Sequence, residues 1–204
     1  MIDHVWQTQL TATPSSPLPA VDVAEVKERA RFTSPSLDAE WSRLVFKATA
    51  RLEMLIGKTF RQRQFTYSLW QDKDWQSHDG CLLVPLPRGP IVRAEARLAG
   101  ATKPSVLLPD GTLRVCELPS SVAAFEILEM SYLAGMGADT SDIPADIRSF
   151  VSDTAVFYFQ THGYNTSATA EGSEQHAVRA GLPRMVYEGL AGYRESVPPI
   201  VRMR

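Results

Sequence analysis

The chain has 204 residues, a length that suits one ordinary domain or a domain with arms. Hydrophobic residues make up 44% and charged residues 22%, which excludes a disordered or fibrous chain. Lysine and arginine number 21 against 23 aspartates and glutamates, so no basic excess points to nucleic acid as the main ligand.

Residues 1–20 carry Pro14, Pro17 and Pro19 among Ser and Thr and read as an extended N-terminal arm. A short helix is expected over 22–32, with Asp22 as N-cap and Glu25 three positions on, a variant of the capping box. Ser34-Pro35 supplies a cap and a first-turn proline for a long helix over 36–57. Its apolar residues, Leu37, Trp41, Leu44, Val45, Ala48, Leu52, Leu55 and Ile56, recur at intervals of three and four, and Gly57 ends it. The period then changes to two. Phe65, Tyr67 and Leu69 alternate with Thr66 and Ser68 as in a half-buried strand, and Gln71 to Gly80 is polar and turn-like. Cys81 to Leu86 is a continuous apolar run, and Val92, Ala94, Ala96 and Leu98 alternate with Arg93, Glu95 and Arg97. Pro109-Asp110-Gly111 between Val106–Leu108 and Leu113–Val115 marks a hairpin. Phe125 to Leu133 is the last expected strand. A helix over 144–162 presents Ile147, Phe150, Val151, Thr154, Ala155 and Tyr158 on one side. A loop rich in Gly, Ser, Thr and Ala fills 163–181, a short helix follows over 183–192, and residues 195–204 form an extended tail around Pro198-Pro199. Helices, then strands between 60 and 133, then helices describe an α+β fold with an antiparallel sheet. Trp41, Leu44, Leu52, Ile56, Ile147, Phe150 and Val151 are expected in the core where the two long helices pack.

Local chemistry is sparse. Gly57-Lys58-Thr59 imitates the end of a phosphate loop, but Leu52 stands where the pattern needs glycine. The tripeptide also lies at a helix C-terminus, the wrong pole for phosphate. His4, His78, His162 and His176 are far apart, and none pairs with Cys or Glu at ligand spacing. Asp139, Asp142 and Asp146 do not match a calcium loop; aspartates there favour the helix dipole. Cys81 and Cys116 make neither a disulfide framework nor a metal pattern and fit a reducing compartment. No apolar run reaches the roughly 18 residues of a spanning helix, and Met1 to His4 has no signal-peptide character. The expectation is an intracellular soluble protein with no catalytic residue, cofactor or metal. Two charge patterns stand out. Arg43, Lys47 and Arg51 form a basic stripe on the long helix, and Asp142, Asp146 and Asp153 an acidic one around the second. They are either two solvated faces or two faces that meet across a subunit boundary.

The order of pieces carries a resemblance. Leu55-Ile56-Gly57-Lys58-Thr59-Phe60 leads to the polar-aromatic strand Arg63 to Trp70. Val84-Pro85-Leu86-Pro87-Arg88-Gly89-Pro90-Ile91 and the Asp110-Gly111 hairpin follow. Ser131-Tyr132-Leu133-Ala134-Gly135 precedes Ile143-Pro144-Ala145-Asp146-Ile147-Arg148, and Leu182-Pro183 to Arg194 closes the series. Over about residues 21–194 this succession resembles the head–tail connector (adaptor, or head-completion) proteins of long-tailed bacteriophages and gene transfer agents.

The resemblance implies a small helical bundle with an antiparallel sheet or hairpin insertion, assembling as a ring, usually of twelve copies, below the portal. Such a ring extends the DNA channel without gripping DNA and offers a platform to stopper or tail proteins, with no catalysis and no membrane. It implies a place in the virion at the head–tail interface, after assembly in the host cytoplasm. On this reading residues 21–194 are the connector domain between arm and tail. Arg43, Lys47 and Arg51 then meet a neighbour's Asp142, Asp146 and Asp153. The tail residues Val197, Pro198, Pro199, Ile200, Val201, Arg202, Met203 and Arg204 dock on the portal. The alternative is a small intracellular enzyme or nucleic-acid-processing domain with a site assembled from distant residues.

Overall fold

The structure, a computed structural model, describes residues 6–13, 15–71, 75–76, 79–161, 178–179 and 182–193. In chain order the elements are β1 (Gln7–Thr13), α1 (Val23–Arg29), α2 (Asp38–Ile56), β2 (Arg63–Trp70), β3 (Trp75–Gln76), β4 (Leu82–Pro85), β5 (Ile91–Leu98) and β6 (Ala101–Lys103). Then come β7 (Ser105–Leu107), β8 (Thr112–Val115), β9 (Ser121–Val122), β10 (Leu128–Ala134), α3 (Ala145–Thr161), β11 (Val178–Arg179), β12 (Leu182–Pro183) and α4 (Arg184–Gly189). The α+β class is as expected. The domain expected over 21–194 divides into two units, because the strands from β2 to β10 are inserted between α2 and α3 and bury a core of their own.

The helical unit comprises Pro17–Arg61 and the described residues of Met136–Glu195. A 3-10 turn, Pro35–Leu37, precedes α2, and Ser34 Oγ accepts the Ser36 N–H at 3.4 Å. At the other end Gly57 takes φ 76°, a left-handed cap that glycine adopts without Cβ strain. Trp41, Leu44, Val45, Ala48, Leu52 and Ile56 are buried in one cluster with Ile147, Val151 and Ala155 of α3. The Trp41 indole stacks on Phe159, ring centroids 4.2 Å apart. Phe150 is only half-buried, and it packs where α4 comes closest: a Cβ on Gly189 would lie 2.5 Å from its Cζ. The capping box expected on α1 is not formed. Asp22 makes no side-chain cap, its carboxylate accepting instead from Thr140 Oγ1 at 3.4 Å, and Glu25 pairs with Arg148 at 3.4 Å.

The β unit comprises Gln62–Gly135 and the described residues up to Ser16. Its main sheet is antiparallel, in the order β1-β2-β10-β5-β6, and β4-β8-β7 form a smaller sheet. Phe65, Tyr67 and Leu69 of β2 are buried and alternate with half-buried partners, as the period-two pattern requires. They pack with Leu128, Met130 and Tyr132 of β10 and with Val84, Leu113 and Val115 of the smaller sheet. The expected hairpin is present: Gly111 has φ 82°, and Asp110 Oδ1 accepts the Thr112 N–H at 2.9 Å.

Three expectations are corrected in this unit. Residues 7–13, expected within an extended arm with no strand assigned, form an edge strand paired along its whole length with β2. Val92, read as inward-facing, is 49% exposed, because the register slips between Leu133 and Ala134 and leaves it as the extra residue of a bulge. Phe125 and Ile127 precede the last strand instead of belonging to it; Phe125 takes φ 61°, and both are exposed. In addition, the polar stretch before Cys81 contains β3, which pairs with β9.

Candidate subunit interface

The outward face of α2 is the best-defined candidate surface. At about 100° per residue, Arg43, Phe46, Lys47, Arg51 and Met54 fall within an arc of roughly 140°, opposite the buried stripe that begins at Trp41. Phe46 is 41% and Met54 56% exposed. Two large apolar side chains flanked by three cations resemble the centre and rim of a protein interface more than a solvated helix face. The sequence reading singled out the cations and missed Phe46 and Met54. The signal was available: both are large apolar residues that fall off the helix's apolar stripe.

The cations are held from within the chain. Arg43 Nε donates to Glu40 Oε2 at 2.9 Å. Lys47 Nζ sits 4.7 Å from the centroid of the Tyr158 ring, a cation–π arrangement. Burial pushes the Tyr158 phenol up, and the Arg51 charge partly opposes that shift. Arg43 and Lys47 thus each have a partner within the chain.

The acidic residues are not one continuous stripe. Asp142 lies in the 3-10 turn Thr140–Asp142, where its Oδ2 accepts the Asp139 N–H at 3.0 Å. Asp146, in the first turn of α3, accepts from the Tyr193 hydroxyl, and that bond is the main cause of the raised Tyr193 phenol pKa. Asp153 takes both Nε and Nη2 of Arg29, at 2.7 and 3.1 Å, and so ties α1 to α3. Each acid thus has a partner in its own chain. Residues 197–204, the expected portal-binding segment, lie outside the described residues, as do His4, His78, His162 and His176 and the 163–177 part of the expected loop.

Elsewhere, an open polar depression of about 300 Å³ on the main sheet is lined by Gln64, Arg93, Ala94, Glu95 and Ser131. Among the described residues no group of three or more His, Cys, Asp or Glu side chains could hold a metal ion, and no helix is long and apolar enough to cross a membrane.

No family model and no curated protein matches the sequence. Solved structures do match. One is a chain of the virion of a native gene transfer agent particle, 22% identical, with a TM-score of 0.64 over 96% of this chain and 97% of that one. A second is from the neck of an empty gene transfer agent particle computed with C6 symmetry, 21% identical, with a TM-score of 0.62 and the same coverage. A third is from the neck of the native particle computed with C12 symmetry, 20% identical, also at 0.62. The chain shares the fold of these gene transfer agent particle chains. At 96% coverage neither unit alone could account for the match, so helical bundle and inserted strands are both part of it.

Proposed function

We propose that this chain is a structural, non-catalytic component of the neck of a phage-like particle, where copies of it close into a ring. The observation that carries this reading is end-to-end likeness to chains from gene transfer agent neck particles computed with C6 and C12 symmetry. A ring of twelve is the reading's copy number. The ring sits below the portal, extends the DNA channel and presents a platform to stopper or tail proteins. A slightly acidic chain, net −2, suits a conduit, because a basic lumen would hold phosphates through counterion release.

A closed ring needs heterologous contacts, one face of each subunit meeting a different face of the next. The outward face of α2 is the first such face, with Phe46 and Met54 supplying apolar area and Arg43, Lys47 and Arg51 setting register. Its counterpart on the neighbour carries Asp142, Asp146 and Asp153, with Asp153 shared between Arg29 of its own chain and the incoming cations. The tail, Val197 to Arg204, docks on the portal. Its paired prolines reduce the ordering entropy lost on docking.

Size-exclusion chromatography with light scattering, with and without portal protein, tests the reading. A neck component forms a ring or joins the portal. A chain that remains a monomer or small closed oligomer under both conditions refutes it.

A further inference from the structure

Cys81 and Cys116 are the chain's two cysteines. Cys81 immediately precedes β4 and Cys116 immediately follows β8. These strands pair with Leu82 opposite Val115, so one step outward sets Cys81 opposite Cys116. The ladder's hydrogen bonds fix the kind of pair. Leu86 N–H donates to Gly111 O at 3.2 Å, which makes 86/111, 84/113 and 82/115 the hydrogen-bonded pairs. Cys116 N–H turns the other way and donates to Pro104 O at 2.8 Å. Cys81 and Cys116 are therefore a non-hydrogen-bonded cross-strand pair, the kind in which Cα atoms approach to about 4.5 Å and side chains are closest. That spacing lies within the roughly 4.4–6.8 Å range of disulfides. The two Sγ atoms are 2.8 Å apart.

We propose that Cys81 and Cys116 are a modification site, a dithiol that closes to an intrachain disulfide on meeting a low-molecular-weight disulfide and so staples β4 to β8. The chemistry of the surroundings favours the step. Both side chains are half-buried, within reach of a small oxidant. Arg114, facing Leu83 across the same ladder, holds its Nη2 3.8 Å from Cys81 Sγ, so a thiolate formed there has a cation beside it. Sharing a hydrogen bond with Cys81 in which Cys116 keeps the proton, with some desolvation, pushes the Cys116 thiol up, against the opposing pull of Arg114. The sequence of events follows. Cys81 thiolate attacks one sulfur of the small disulfide and expels a small thiolate, giving a mixed disulfide. Cys116, deprotonated by that departing thiolate, attacks Cys81 Sγ and expels the second. The protein loses two electrons and two protons, and the small disulfide is reduced to two thiols. Nothing in this step depends on the assembly that the chain joins.

The test uses the full-length protein purified under reductant, then equilibrated with mixtures of reduced and oxidised glutathione. Intact mass, non-reducing peptide mapping and thermal unfolding are read at each ratio. The expected result is loss of two hydrogens, one peptide linkage between Cys81 and Cys116, and a thermal midpoint raised by about 5–10 °C over the reduced protein. Cys116→Ser should stop at a glutathione adduct on Cys81 with no such rise. Thiols still free at the most oxidising ratio, stable adducts on the wild type, or disulfide-linked dimers would each overturn the proposal, as would a linkage that leaves the midpoint unchanged.

Discussion

Glu53 is 3% exposed, and its Oε1 accepts the Phe60 N–H at 2.8 Å. It holds the chain just past the end of α2. Glu53→Ala strands a buried donor, and urea unfolding should show a loss of about 1–3 kcal/mol. Gly137 is tight for a different reason: a Cβ there would strike the Asp142 side chain and lie 2.9 Å from its carbonyl carbon. Because that neighbour is backbone, Gly137→Ala should cost about 1–3 kcal/mol in the same measurement. Neither role was legible in the sequence. Glu53 sits in a helix where an acid is expected to be solvated, and the Gly137 contact depends on the turn that folds Asp142 back over it. What sequence does reveal at this scale is periodic: Trp41, Leu44, Leu52, Ile56, Ile147 and Val151 are buried as their spacing predicts.

Within α2, two leucine-sized residues only two positions apart have opposite surroundings. Leu52 is fully buried between the long helices, whereas Met54 is 56% exposed. Leu52→Ala should destabilise the helical unit by about 2–5 kcal/mol. Met54→Ala should change stability by less than about 0.5 kcal/mol while weakening ring formation, as should Phe46→Ala; thermal unfolding and light scattering separate the two effects. A charge swap completes the test of this face. Reversing Arg43, Lys47 and Arg51 should weaken assembly and reversing Asp142 and Asp146 as well should partly restore it; a double reversal that is folded by circular dichroism yet assembles no better than the single one refutes the pairing. Leaving Asp153 unchanged preserves its tie to Arg29. Long, strongly periodic elements such as α2 and α3 were legible because burial on one face imposes a repeat on the sequence. The arm was not. All but one residue of Gln7–Thr13 are exposed, so β1 is set by backbone pairing to β2 and leaves little hydrophobic trace. The bulge at Val92 was hidden for a related reason, since a single extra residue inverts the alternation without changing composition.

At the scale of the molecule, the order helices–strands–helices is one helical unit interrupted by a sheet that folds around its own core. That arrangement was legible in outline from the change of period after Gly57 and its return at Pro144. The boundary between the units was not: prolines and glycines do stand at two of its crossings, Ser16/Pro17 and Gly135/Met136, but the Arg61/Gln62 crossing carries neither, and short turn signals of that kind also end ordinary strands. The candidate interface was legible in two steps: the cations stand out as a stripe, and Phe46 and Met54 are found only by asking which large apolar residues of α2 fall off its apolar stripe. Deleting residues 196–204 should leave both units folded by circular dichroism and abolish stable attachment to portal particles; undiminished attachment would show the tail to be dispensable. The most direct measurement is a reconstruction of the neck by electron cryomicroscopy, without imposed symmetry, from particles that carry this chain. It should show the two-unit fold repeated twelve times in a closed ring beneath the portal, with the outward face of α2 buried against the next subunit. Particles whose neck lacks this fold, or that hold it as isolated copies with that face in solvent, would refute the reading.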